Sequence, residues 1–168
     1  GTALKAAAAA TAAAVAGAAT AIGALTTKAI EGYAAQEQLV GGVETLFKTS
    51  SDTVVGYAND AYKTAGMSAN EYMETVTSFS ASLLASMNND TAAAAEKANV
   101  AITDMSDNAN KMGTDISLIQ NAYNGFAKQN YTMLDNLKLG YGGTKEEMQR
   151  LLDDASKLSG IKYDISSY

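Results

Sequence analysis

The chain has 168 residues, 12 of them basic and 18 acidic, for a net charge of −6, and it contains no proline, cysteine, histidine or tryptophan. Without cysteine or histidine there are no disulfides, no thiolate or imidazole metal ligands and no imidazole-dependent triad, and the acidic balance opposes specific nucleic-acid binding. Abundant alanine and absent proline favour long helices, so the expected fold is all-α: a multi-helix bundle of amphipathic helices with a long Ala-rich N-terminal helix.

Residues 1–48 read as one region. Between Lys5 and Lys28 no residue is charged, a length sufficient to cross a bilayer as a helix. Only Val15, Ile22 and Leu25 are strongly apolar there, and the rest are mostly Ala, Gly and Thr. Two readings stay open: an Ala-rich helix packed through its small residues, or a membrane-active segment at residues 6–27. The helix is expected to continue through Tyr33 and Val40 and to break at Gly41-Gly42. Val43, Leu46 and Phe47 then make a short apolar patch.

Residues 49–160 read as a helical module. Ser51 or Asp52 is expected to cap a helix that leaves at Gly66. "SANE" at 68–71 is a capping box opening a helix with Tyr72, Val76, Phe79, Leu83 and Met87 on one face. Asp90 is a natural N-cap for a helix with Ala98, Ala101, Ile102, Met105, Ala109 and Met112 inward, stopped by Gly113. Thr114 or Asp115 caps the next helix, which is expected to run to Leu139. In it Ile116, Ile119, Tyr123, Phe126, Asn130, Met133 and Leu137 alternate three and four apart, the spacing of a heptad a/d seam. That seam is a candidate self-association surface or the inner face of a helix in its own domain, with Asn130 as a polar a position.

Gly140, Tyr141, Gly142, Gly143, Thr144 and Glu147 then make a structural turn. Gly140 is expected to end the seam helix, Gly142-Gly143 to reverse the chain, and Thr144 and Glu147 to form a second capping box. Tyr141 is expected to pack back over Leu137, Met148 or Leu151. The final helix, with Met148, Leu151, Leu152, Ala155 and Leu158 in one stripe, would lie antiparallel against the seam and end at Gly160. Residues 161–168 read as a truncated C-terminal segment, and the whole chain as a fragment.

No catalytic constellation emerges. Glu146-Glu147 and Asp153-Asp154 are adjacent on a helix and point to different faces. Asp104 and Asp107 share a face without a ligand set around them. "DMSDNAN" lacks the glycine and closing glutamate of a calcium loop. "GYGG" lacks the lysine of a phosphate loop. The chain is expected to carry no catalytic residue, cofactor or metal of its own.

Three pieces carry a family resemblance: "MGT" at 112–114, "IQNAYNGFAKQNYTMLDNLKLGYGGTKEEM" at 119–148 and "LLDDASKLSG" at 151–160. This stretch resembles the core region of phage tail tape measure proteins, and residues 29–84 are similar to the segment that precedes that core. The resemblance implies a structural protein in the tail lumen of the virion, assembled in the host cytoplasm. It implies a scaffold and ruler around which tail tube proteins polymerise, homo-oligomeric as a trimer or hexamer. Tail assembly chaperones and distal tail or tip proteins would be its partners. It also implies release ahead of DNA, with contact at the host membrane. One continuous helix of this length would span on the order of 250 Å at 1.5 Å per residue. The glycine stops instead point to a folded module, with the ruler proper mostly beyond it. The rival reading is a membrane-active helical protein, pore-forming or secreted, that uses residues 6–27.

Overall fold

The computed structural model describes residues 31–165, and the chain divides into compact units between Gln38 and Leu39. The uncharged stretch 6–27, where the long Ala-rich helix is expected, lies outside the described residues, as do residues 166–168. In the first unit, residues 31–38 are helical and exposed. The second unit is built of α1 (39–47), α2 (Ser51–Thr64), α3 (Ala69–Ser86), α4 (Thr91–Met112), α5 (Ile116–Phe126) and α6 (Lys145–Ser159). Two 3-10 turns, Lys48–Ser50 and Leu134–Leu137, complete it, and the described residues include no strand. The fold is all-α and multi-helical.

Local caps set most helix starts. Ser68 Oγ accepts from the Glu71 N–H, and the Glu71 carboxylate accepts from the Ser68 N–H at 2.7 Å, so both halves of the capping box form. Asp90 accepts from the N–H groups of Ala92 and Ala93 at 3.1 and 3.0 Å, and Asp115 accepts from that of Ser117 at 2.8 Å. These bonds satisfy donors that have no partner inside the helix. Glu71 is held below its usual carboxyl range by the Ser68 N–H first and the Ser68 hydroxyl second. α2 departs from expectation. Its N-cap is Ser50, without a side-chain cap bond, and the 3-10 turn Lys48–Ser50 leads the chain in.

The α2, α3 and α4 helices pack on one another, and α5 crosses α3 and α4. The inner face of α4 is Ala94, Ala95 and Ala98 in its first half and Ile102 and Met105 in its second, all essentially without solvent contact. Small residues permit close helix approach along the first half, and the larger pair supplies more buried volume in the second. Tyr72, Met73 and Val76 of α3, Val54, Ala58 and Ala61 of α2, and Ile119 of α5 close on this face. The Tyr72 hydroxyl donates to Asn99 Oδ1 at 2.9 Å, and burial pushes its pKa above the ordinary phenol range.

Three expectations are corrected. First, Gly41-Gly42 does not break the helix: both residues are helical. Glycine there costs roughly 1 kcal/mol against alanine, and tertiary packing overrides it. A Cβ on Gly42 would stand 3.7 Å from Thr77 of α3, so α1 lies close against that helix. Second, the module does not begin at 49. Val43 and Phe47 are fully buried in its core, which places residues 39–47 with it.

Third, the helix expected to run from 116 to 139 ends at Phe126, so the heptad seam does not exist as a continuous face. Ile116, Ile119, Tyr123 and Phe126 lie on α5, with Ile119 buried and the other three half-buried. Asn130, Met133 and Leu137 lie beyond it, and of these only Leu137 is buried. The physical cause is a Schellman stop. Asn130 N–H donates to Gly125 O at 2.9 Å, Gln129 N–H donates to Phe126 O at 2.9 Å, and Gln129 takes the left-handed conformation with φ 57°. A Cβ on Gly125 would meet Asn130 O at 2.8 Å, so the chain folds back over a residue that has none.

The sign of one substitution checks this stop. Gln129 is exposed and makes its bond through the backbone. Gln129→Gly is expected to raise stability by about 0.5–1 kcal/mol, because the left-handed conformation costs a side-chain-bearing residue roughly 1–2 kcal/mol, partly offset by glycine's unfolded-state freedom. In a continuous helix the same change would lower stability by about 1 kcal/mol. Urea denaturation distinguishes the two.

Candidate functional site

The residues singled out for the turn gather between Asn130 and Asp154. Asn130 is a turn builder rather than a core polar residue. Its Oδ1 accepts from the Thr132 N–H at 3.1 Å and the Thr132 hydroxyl at 2.8 Å. Tyr131 and Leu134 then enter the core, and the Tyr131 ring stacks on Phe126 at 6.2 Å between centroids, with Tyr123 a further 5.8 Å from Phe126. Two amides fasten the 3-10 turn to the helices beneath it. Asn108 Nδ2 donates to Leu137 O at 3.2 Å, and Asn136 Nδ2 donates to Leu118 O at 3.1 Å.

Gly140 has φ +84°, the left-handed region, but it ends no helix; it follows the 3-10 turn and Lys138, itself left-handed at φ 52°. Gly143 is required by close approach. A Cβ there would lie 2.3 Å from Thr132 O and 2.8 Å from Thr132 C, so this stretch of backbone runs directly over the Asn130–Thr132 turn. Gly142, by contrast, would meet only the flexible Glu147 side chain, at 3.7 Å.

Thr144 caps α6 as expected, accepting from the Glu147 N–H at 3.2 Å. The return bond of the expected box does not go to Thr144. The Glu147 carboxylate accepts instead from the Gly142 N–H at 3.1 Å and from Arg150 Nε at 3.1 Å. Arg150 also donates to Gly140 O at 3.3 Å and holds its guanidinium 4.5 Å from the centre of the Tyr141 ring. The Tyr141 hydroxyl donates to Asp154 Oδ2 at 3.0 Å, and Lys157 reaches Asp154 Oδ1 at 3.1 Å. Tyr141 therefore anchors the turn: it packs against the core that includes Leu137 and Met148, and it is also held to α6 through Arg150 and Asp154.

These bonds set the electrostatics. Glu147 lies below the usual carboxyl range, chiefly through Arg150 and then the Gly142 N–H, and Asp154 through Lys157 and then Tyr141. Arg150 is raised by Glu147, and the Tyr141 phenol by its bond to Asp154. Both carboxyls are depressed in the folded state, so their contribution is present at neutral pH and fades as pH falls through their lowered values. All these groups are near the surface, where such pairs contribute little each.

Contrary to expectation, α6 does not pack along α5, and among the described residues it is not closely paired with α2, α3 or α4 either. It buries Met148 and Leu152 in the core, with the half-buried Leu151 packed against it, while Ala155 is half-buried and Leu158 is exposed.

Asp104 and Asp107 remain on one face of α4. Burial raises the Asp104 pKa, and the charge of Asp107 adds to it. Among the described residues no group of three or more acidic side chains is placed to hold a metal. Nor is any described helix long and apolar enough to cross a membrane.

A second feature was not legible in the sequence: an open cleft of about 590 Å³, part polar and part apolar, between the 65–67 connection, α3, the end of α4 and α5. Its residues come from positions 65 to 124, each unremarkable alone. No family model, curated protein or solved structure matches this chain.

Proposed function

We propose that this chain is the core segment of a phage tail tape measure protein, a scaffold for tail tube assembly with no catalytic activity of its own. The observation that carries the reading is the resemblance of residues 112–160. Its distinctive centre, 119–148, is the stretch that builds the α5 stop, the Asn130–Thr132 turn and the latch onto α6. The polar groups of that centre hold the chain's own backbone, as Asn130, Asn136 and Glu147 do, and Arg150 just beyond it does the same. A structural role uses side chains in this way.

On this reading the module is a folded node in a longer, oligomeric helical protein, trimeric or hexameric, in the tail lumen. Tail tube protein, assembly chaperones and distal tail proteins are its partners, and it leaves the tube ahead of DNA. The 127–144 segment folds back, so this module adds far less than 1.5 Å per residue to any ruler length. The membrane-active alternative rests on residues 6–27 alone.

Mass spectrometry of particles purified from an induced lysate of the encoding strain tests the reading. Peptides of this chain are expected in intact tails and depleted from particles that have ejected their DNA. Their recovery only from the host envelope fraction, with none in tails, would favour the membrane reading and overturn this one.

A further inference from the structure

The cleft between α3, α4 and α5 is part apolar, through Ala65, Met67, Ala109 and Ile116, and part polar, and its polar groups are of one kind, uncharged amides and hydroxyls apart from Glu71 and Glu74. No aromatic ring and no basic residue lines it. One wall carries Gln120 and Asn124, four apart on α5, with Asn121 beside them. The facing wall carries Glu74 and Ser78, four apart on α3. Asn110 of α4 closes one end.

Part of the lining is fixed from behind. Gln120 Nε2 donates to Thr75 Oγ1 at 2.8 Å, and Thr75 in turn donates to Glu71 O at 2.7 Å. Ser106 Oγ donates to Ala65 O at 2.5 Å and accepts from Asn110 Nδ2 at 3.3 Å. These bonds leave the carbonyl oxygens of Gln120 and Asn110 for an occupant. Thr114 also lines the cleft, and its hydroxyl is buried without a hydrogen-bond partner among the described protein groups.

We infer that this cleft binds an extended, uncharged polypeptide segment through its backbone. A side-chain amide offers a donor and an acceptor, the same pair that a peptide group presents. Residues four apart on a helix stand about 5–6 Å apart, and same-side peptide groups of an extended chain recur every 6.6 Å or so. The Gln120–Asn124 row thus addresses successive peptide groups. Glu74 disfavours anionic guests, and a single exposed carboxylate with Glu71 tied to Ser68 is a poor cation site. A sugar ring finds no aromatic face to stack on. The volume falls in the range of about 300–1,000 Å³ typical of ligand clefts. This inference is independent of the tape measure reading.

The test uses the ¹⁵N-labelled chain titrated with acetyl-Ala-Thr-Ala-Thr-Ala-Thr-amide, and separately with maltotriose, while the side-chain amide signals of Asn110, Asn121 and Asn124 are followed. Saturable shifts of these signals with the peptide are expected, together with about tenfold weaker binding by Asn121→Ala/Asn124→Ala, the loss of two ordinary hydrogen bonds. Both residues lie at the cleft and away from the buried core, so unfolding is not the expected cause of that loss. Saturation by maltotriose in place of the peptide, shifts confined to other surfaces, or no saturable shift with the peptide would each overturn the inference.

Discussion

Gly143→Ala is expected to lower folding stability by about 3 kcal/mol. The added methyl would be placed 2.3 Å from Thr132 O, a backbone atom, so the clash is not relieved by turning a side chain. Relief requires the 138–144 segment to lift from the Asn130–Thr132 turn, which also pulls Tyr141 and Arg150 from their places. Gly142→Ala is the internal control: its methyl meets only the mobile Glu147 side chain at 3.7 Å, and the change is expected to stay within about 0.5 kcal/mol. Urea denaturation of both variants reads the difference. Equal effects would mean that the glycines act through chain flexibility and not through this contact.

Phe47→Ala is expected to cost about 3–5 kcal/mol, the range for emptying a buried aromatic site. Phe47 has no solvent exposure and stands with Val43 at the base of α1, just before the 3-10 turn into α2. Reading the module from residue 49 would leave Phe47 outside it and give a small effect. The midpoint of urea unfolding decides between a core residue and a linker residue, and Tyr62→Ala, at a side chain 81% exposed, serves as the near-neutral comparison.

Much of the helical layout was legible because its signals are local. Ser68, Asp90, Asp115 and Thr144 each cap the helix that follows, and a cap needs only a side-chain oxygen two or three residues from the donor. Glycine exits were legible for the same reason at Gly66, Gly113 and Gly160, all with positive φ. The stop after Phe126 was not, because it places glutamine in the left-handed position and carries its glycine inside the helix, at 125. A heptad count over residues 116–137 sees apolar spacing and does not see that the chain turns between the fourth residue of the pattern and the fifth. Asn130 fitted the seam by number and the turn by chemistry; the hydrogen bonds to Thr132 show which prevails.

The candidate site divides in the same way. Tyr141, Gly142, Gly143, Thr144 and Glu147 were found by sequence because they are contiguous. Their partners Arg150 and Asp154 were missed, since nothing local in the sequence ties either side chain back to Tyr141 across the turn. Gly41-Gly42 misled in the opposite sense: a local breaker was overridden by packing against Thr77. The cleft depends on residues more than fifty positions apart, and no local pattern announces it.

The fold of the family-like stretch is tested most directly by one distance. The chain has no cysteine, so paired spin labels can be placed at Ser117 and Asp135, both exposed. Here Asn136 bonds the backbone of Leu118, which brings the two labelled neighbourhoods together. Strong dipolar broadening between the labels is predicted in the folded chain, with its loss in urea. A separation near 27 Å, which eighteen residues of continuous helix would span at about 1.5 Å each, would contradict the folded-back module and restore a straight rod through residues 116–137.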